Sequence, residues 1–225
     1  MTATIPLIDT LDGFELVRDK VALIIASESA AQQALATTAG KDSDLWKLRV
    51  YLERSNPWEV FREGVTDFSP VINVWYDNSN TNLGSSNLGT RQNMTSIINI
   101  DCIGYAETNA VSGGQEPGDE YAALTAHRAA RLVRGILMHG KYRYLGLANG
   151  IVGRRHILTR TAFQPQSGSQ GMQRIMGVRL ALSVDHNEFI GIEEYETIAN
   201  ALITIKHDPT GAIIAQLDID TTVEE

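Results

Sequence analysis

Apolar residues recur at helical spacing from Phe14 to Thr38. Phe14, Val17, Val21, Ile24 and Ile25 open a stripe that Ala30, Ala31, Ala34 and Leu35 extend, and Gly40 supplies a stop. Asp42-Ser43-Asp44 then offers an N-cap and an acidic first turn for a second helix, roughly Leu45 to Arg54, closed by Asn56-Pro57. Beyond it the period changes. Between Ser69 and Asp185 the chain runs as two strand patterns, one Ala-rich amphipathic helix and two more strand patterns.

The first strand, Pro70 to Asp77, is β-branched and aromatic. A polar run from Asp77 to Asn93 follows as a long loop, because it holds too little apolar surface to order itself. Thr95 to Ala106 resumes as a strand, with Ile98, Ile100, Cys102, Gly104 and Ala106 on one face and Asn99, Asp101 and Tyr105 on the other. Val111 to Gly118 forms a second polar loop. The helix from about Asp119 to His139 carries Ala122, Ala126, Ala129, Val133, Ile136 and Leu137 along one stripe, so it lies close against a sheet, and Lys141 to Gly153 is an irregular connector. Arg155 to Gln164 alternates with Ile157, Thr159, Thr161 and Phe163 on one side. After the turn at 165–171, Arg174 to Asp185 is the cleanest strand, with Met176, Val178, Leu180, Leu182 and Val184 facing one way and Arg179 and Ser183 the other.

Near the C-terminus, Leu202 to His207 and Ala212 to Ile219 flank Asp208-Pro209-Thr210-Gly211, the residue pattern of a type I turn. A two-stranded hairpin is marginal alone in water, so it docks on its own domain or on a neighbouring subunit. The expected fold class is α+β: a small, mainly antiparallel sheet in ββ–α–ββ order, packed by the Ala-rich helix. The whole chain is taken as one domain, with a helical elaboration at about 14–54, a core at about 69–185 and an appended hairpin at about 201–219.

Composition narrows the chemistry. The net charge of −8 argues against general nucleic-acid binding, which needs clustered Lys and Arg. The start of the chain lacks the basic and apolar regions of an export signal, and no run of about 18 apolar residues marks a membrane span. Cys102 is the sole cysteine; at mid-strand on an apolar face it suits the core, and no internal disulfide is available. Asn93-Met94-Thr95 matches a glycosylation sequon, a chance match in a chain without a signal peptide. There is no phosphate loop and no dinucleotide fingerprint; Gly146, Gly150 and Gly153 are wrongly spaced for one. One cysteine and five scattered histidines, His127 among them, do not make a zinc site. Asp119 and Glu120, like Asp42 and Asp44, complement a helix dipole more simply than they form an acid pair. No nucleophile, base and orienting group converge, so no catalytic residue, cofactor or metal is assigned.

The remaining charged feature is the stripe Arg128, Arg131 and Arg134 on the Ala-rich helix: a solvated face, or a contact for acidic groups on an adjacent copy. Long polar loops in compact domains are more often functional than accidental. The candidate contact residues are therefore Asn82, Asn87 and Arg91 in the long loop, Arg128, Arg131 and Arg134 on the helix, and Asp208 and Thr210 in the C-terminal turn.

As a pattern of elements, the chain resembles the tail terminator (tail completion) proteins of long-tailed bacteriophages. The resemblance rests on the N-terminal helix, the Ser69 to Trp75 strand, the Thr95 to Ala106 strand, the helix ending near His139, and the strands Arg155 to Gln164 and Arg174 to Asp185. It covers roughly two-thirds of the chain, without a catalytic motif. It implies a virion protein, assembled in the host cytoplasm, that closes into a hexameric ring on the head-proximal end of the tail tube. Such a ring ends tube polymerisation and meets the neck or head-completion protein, while DNA passes its lumen without specific binding; no membrane is involved. The additional N-terminal helix and the C-terminal hairpin, absent from compact members, suit contact with a sheath or collar. Alternatives are a neck (stopper) protein or a tail tube subunit, and, in a different class, an enzyme or small-molecule binder.

Overall fold

Alternating apolar residues on four long or medium strands and one short one build a mixed five-stranded sheet. The computed structural model describes residues 11–61, 67–82, 91–107, 109–111, 114–116, 118–148, 150–164, 173–189, 200–206 and 213–220. The chain divides into two compact units, 1–190 and 191–225.

In the first unit the elements are α1 (Gly13–Thr38), β1 (Arg49–Leu52), β2 (Val71–Thr81), β3 (Arg91–Glu107), a small ladder of β4 (Asn109–Val111) with β5 (Gly114–Glu116), α2 (Gly118–Met138), β6 (Val152–Phe163) and β7 (Gln173–Phe189). The large sheet has the order β1-β2-β3-β7-β6; β1 runs parallel to β2 and the other neighbours are antiparallel. The fold is thus α+β, with a mixed sheet and two helices.

Both helices cover one face of the sheet. Val17, Val21 and Ile25 of α1 and Ala126, Ala129, Val133 and Leu137 of α2 pack on Ile72, Val74, Ile98, Ile100, Cys102, Val178, Leu180, Leu182 and Val184, all buried. A smaller cluster occupies part of the opposite face, where the 3-10 turn Pro57–Phe61 lays Phe61 over Val71, Ile103, Tyr105 and Ile175. Arg155 of β6 joins sheet to helix: its Nε donates to the Leu137 carbonyl at 2.8 Å and its Nη2 to the His139 carbonyl at 2.9 Å. Those are the carbonyls a helix C-terminus leaves unpaired, and a guanidinium also suits the negative end of the helix dipole.

Five expectations are corrected. The helix expected over Leu45 to Arg54 is a single 3-10 turn, Ser43–Trp46, followed by strand β1. The Asp42 cap does form, its carboxylate accepting from the Asp44 N–H at 2.9 Å, but the free edge of β2 captures the residues beyond it. Val50 then packs on the helical side, and Arg49 goes to the other side, over the Phe61 ring at 5.0 Å. The loop expected from Asp77 to Asn93 shrinks, since β2 runs to Thr81 and β3 begins at Arg91. Polar side chains hold these strand ends together: Ser79 Oγ lies 2.5 Å from Ser96 Oγ, and the Asn82 amide donates to Asn93 Oδ1 at 3.0 Å and to Thr95 Oγ1 at 2.9 Å. Likewise part of the loop expected over Val111 to Gly118 is the β5 strand of the small ladder.

The second half of the α1 stripe is also overturned. Ala30, Ala31, Ala34 and Leu35 are exposed, while Ser29 and Ala36 are buried. The sheet lies under the first half of α1; beyond it the 3-10 turn packs back on the helix, with Ser29 Oγ donating to the Trp46 carbonyl. Gly40 terminates the helix as expected, in the left-handed region at φ 65°. Lastly, Ile157 does not share a face with Thr159, Thr161 and Phe163. A bulge between Ile157 and Thr159 leaves Ile157 beside Leu182 on the helical side and sends the other three opposite Ala181, Arg179 and Gly177.

In the second unit, β8 (Asn200–Lys206) pairs antiparallel with β9 (Ile213–Asp220) as a two-stranded sheet. The expected type I turn at 208–211 lies outside the described residues, as does the expected turn at 165–171.

Candidate functional site

The outward side of α2 is the surface that its own composition leaves unexplained. Ala122, Ala126, Ala129, Ala130, Val133 and Leu137 are buried against the sheet. The opposite side presents Tyr121 and Leu124, 57% and 59% exposed, then Arg128, Arg131 and Met138 along one line, with Arg134 exposed beside it. Single exposed apolar residues are ordinary on a protein surface; what singles out this side is that they line up with the arginines along one helix. Arg128, Arg131 and Arg134 have no ion-pair partner among the described residues, and the buried Nε of Arg128 has no acceptor.

Beside this stripe, α1 and α2 enclose a cleft of about 460 Å³. Its apolar lining is Trp46, Leu48, Leu132 and Ile136, and Arg131 and His139 stand among its polar groups. Among the described residues Glu28 is the sole acid in the lining, and it is already engaged. Its carboxylate accepts from Lys141 Nζ at 2.8 Å and from the Tyr142 hydroxyl. Those two hydrogen bonds hold the Glu28 carboxyl below its ordinary range.

Of the residues singled out in the sequence, Arg128, Arg131 and Arg134 are therefore gathered on one helix. Asn82 stands just after β2 and is tied to Asn93 and Thr95, while Arg91 opens β3, well away from α2 in the chain. Asn87, Asp208 and Thr210 lie outside the described residues. Cys102 is fully buried in the core, where burial first and Asp101 second push its thiol far above the ordinary range. His127 is exposed, with Nδ1 2.8 Å from Arg160 Nη2.

Two polar clusters escaped sequence reasoning. On the sheet face away from the helices, Asp101 accepts from Arg179 Nε at 2.6 Å, from Arg179 Nη2 at 3.0 Å and from Trp75 Nε1 at 3.0 Å. The Arg179 guanidinium also stacks on the Trp75 and Phe163 rings, at 4.8 and 5.3 Å. The signal was present in the alternation, since Trp75, Asp101 and Arg179 all sit at positions opposite the apolar face. On the helical side, a chain of hydrogen bonds runs from the Tyr76 hydroxyl to Ser79 Oγ at 3.0 Å, on to Ser96 Oγ, and from there to His186 Nε2 at 2.7 Å. A serine beside a histidine suggests nucleophilic chemistry, but Ser96 and His186 are 0% and 1% exposed, so no substrate reaches them. The adjacent Asp185 is directed to Thr95 Oγ1 and Arg154 Nε instead.

His186 carries a pH dependence. Its Nδ1 is buried without a partner, packed where α1 begins: a Cβ on Gly13 would stand 2.7 Å from it. Burial lowers its pKa, against a smaller opposing effect of Asp185. The folded state thus binds fewer protons here than the unfolded chain, and stability falls as pH drops below the unfolded value of about 6.5. The slope from this group approaches at most about 1.4 kcal/mol per pH unit. Glu188, raised by burial and by Asp12, opposes it in mildly acidic solution. Comparing His186→Gln with the parent chain isolates the histidine. Urea titrations between pH 7 and 5 should show a shallower decline in the variant; parallel curves would assign the dependence elsewhere.

Among the described residues, no group of three His, Cys, Asp or Glu side chains is placed to hold a metal, and no helix is long and apolar enough to cross a membrane. No family model matches the chain, and no curated protein matches it either.

Proposed function

We propose that this chain is a structural, non-catalytic virion protein: a tail terminator that closes into a hexameric ring on the head-proximal end of a phage tail tube. The ring ends tube polymerisation, meets the neck or head-completion protein, and passes DNA through its lumen. Beyond the resemblance already described, the observation that carries this proposal is the outward side of α2. Exposed Tyr121, Leu124 and Met138 flank arginines that lack ion-pair partners among the described residues, in a chain with 27 acidic and 19 basic residues. Copies of such a chain provide both halves of a contact, an arginine stripe and an acid excess. Heterologous contacts of that kind close into a ring when the rotation from one copy to the next closes.

In this proposal β2, β3, α2, β6 and β7 form the ββ–α–ββ core of the family and hold the subunit's shape. The strands β8 and β9 act as an appended hairpin that docks on a neighbour or on the tail sheath, since a two-stranded sheet is marginal alone. Assembly proceeds in the host cytoplasm, without a membrane.

Light scattering or native mass spectrometry of the purified chain is the direct test, with and without tube protein. A closed oligomer is expected. Arg131→Glu places an acid where acids are to be received, and like charges at a contact cost several kcal/mol, so association should weaken by roughly a hundredfold or more. A parent chain that stays monomeric and ignores tail tubes would overturn the proposal, and an unchanged oligomer in the variant would return the stripe to a solvated face.

A further inference from the structure

We infer that the cleft between α1 and α2 is a docking site for a second copy of this chain, which inserts an acidic group flanked by apolar side chains. The inference rests on the ring proposal and deepens it by naming the receptor for the contact. Four observations converge on it. The cleft is open and sizeable, about 460 Å³, and its floor of Trp46, Leu48, Leu132 and Ile136 accepts an apolar side chain. Its charge is unbalanced: Lys141 is matched by Glu28, whereas Arg131 is matched by nothing among the described residues. Next to it on the same helix, Arg128 keeps a buried Nε without an acceptor. Gly135 lines the cleft as well, and a Cβ built there would meet nothing within 4 Å, so the space over α2 is unfilled at that point.

The chemistry of the occupant follows from these features. A cation beside an apolar floor favours a carboxylate carried next to an aliphatic or aromatic group, held by a charge-assisted hydrogen bond while the apolar part leaves water. A second copy fits because the chain's own surplus is acidic, with a net charge of −8. The arrangement is heterologous: cleft on one copy, acidic segment on the next, repeated around a ring.

Two substitutions test the cleft without touching the fold's core. Gly135→Leu fills the space with an uncharged side chain, and Arg131→Gln removes the charge with little change in shape. Sedimentation equilibrium on the full chain, at low salt and at about 0.5 M salt, should show each variant associating at least about tenfold more weakly than the parent, while Tm read below the association range is unchanged. The parent's own association should weaken as salt screens the Arg131 contact. If the parent assembles and both variants assemble equally well, the cleft is not the receptor, although the ring proposal survives. If the parent is monomeric at every concentration, the second-copy occupant and the ring proposal both fail. If the variants lose binding only to an added acidic tail protein, and not to themselves, the occupant is that foreign protein and the inference as stated is overturned.

Discussion

Replacing Gly104 by alanine should destabilise the protein by about 3 kcal/mol, the high end of the range for overpacking. Gly104 lies in β3 directly beneath α2. A Cβ there would stand 2.3 Å from the Ala122 carbonyl oxygen and 2.7 Å from the Ala126 amide nitrogen. Both are helix backbone atoms, so neither moves aside by a rotamer change; the helix itself must lift. Lifting α2 would open gaps around Ala122, Ala126, Ala129 and Ala130, whose small side chains fit only at this separation. The entropic gain from removing a glycine, about 0.4 to 1 kcal/mol, does not offset this.

Gly177→Ala is the informative comparison. Its Cβ would also come within 2.3 Å of a neighbour, but that neighbour is the Phe163 ring at the far end of β6, a side chain that swings away. Denaturant midpoints should therefore drop more for Gly104→Ala than for Gly177→Ala, at unchanged m. Equal losses, or a Gly104→Ala midpoint at the parent value, would contradict the close approach of α2 to the sheet.

The second large effect is expected at Asp101. Asp101→Ala removes three accepted hydrogen bonds from an acid whose side chain is only 6% exposed, and strands Arg179 between the Trp75 and Phe163 rings. Breaking one half of a buried pair costs about 3 to 5 kcal/mol. Arg179 is 40% exposed, so water solvates it once the acid is gone and the loss should be nearer 2 kcal/mol. Asp101→Asn, which retains an acceptor, should lose about half as much. Adding Arg179→Ala to Asp101→Ala should cost less than the separate losses sum to, because the stranded cation is removed with its partner. Strict additivity in that cycle would show that the two side chains do not act as a pair.

How much of this was legible in the sequence depends on which interaction decided each element. The buried stripe of α2 and the alternation in β7 were legible, because each buries one face and the period alone states which residues go inward. Leu45 to Arg54 was misread since its local cap and acidic turn favour a helix by only about 1 kcal/mol. Pairing with β2 and burial of Val50 outweigh that, and neither is visible locally. The strand ends at 78–81 and 91–94 were misread because Asn, Ser and Thr there hydrogen-bond across the ladder instead of to solvent. In β6, one bulge residue was enough to reverse the facing of everything after it. As for the candidate surface, the arginine stripe was visible from spacing within α2. The cleft was not, since its walls come from α1, the turn at 43–46 and the end of α2, which are distant in sequence.

The sequence by itself determined the α+β class, the two long helices, the inward faces of α2 and β7, the burial of Cys102 and the arginine stripe. All of these follow from periodicity, which acts over neighbouring residues. Only the tertiary structure decided that β1 is a strand and that α1 leaves Ala30, Ala31, Ala34 and Leu35 exposed. It alone placed Asp101 against Arg179, Ser96 against His186, and the cleft beside Arg131. Those outcomes depend on contacts between segments far apart in the chain, where burial and long-range hydrogen bonds outweigh local preference.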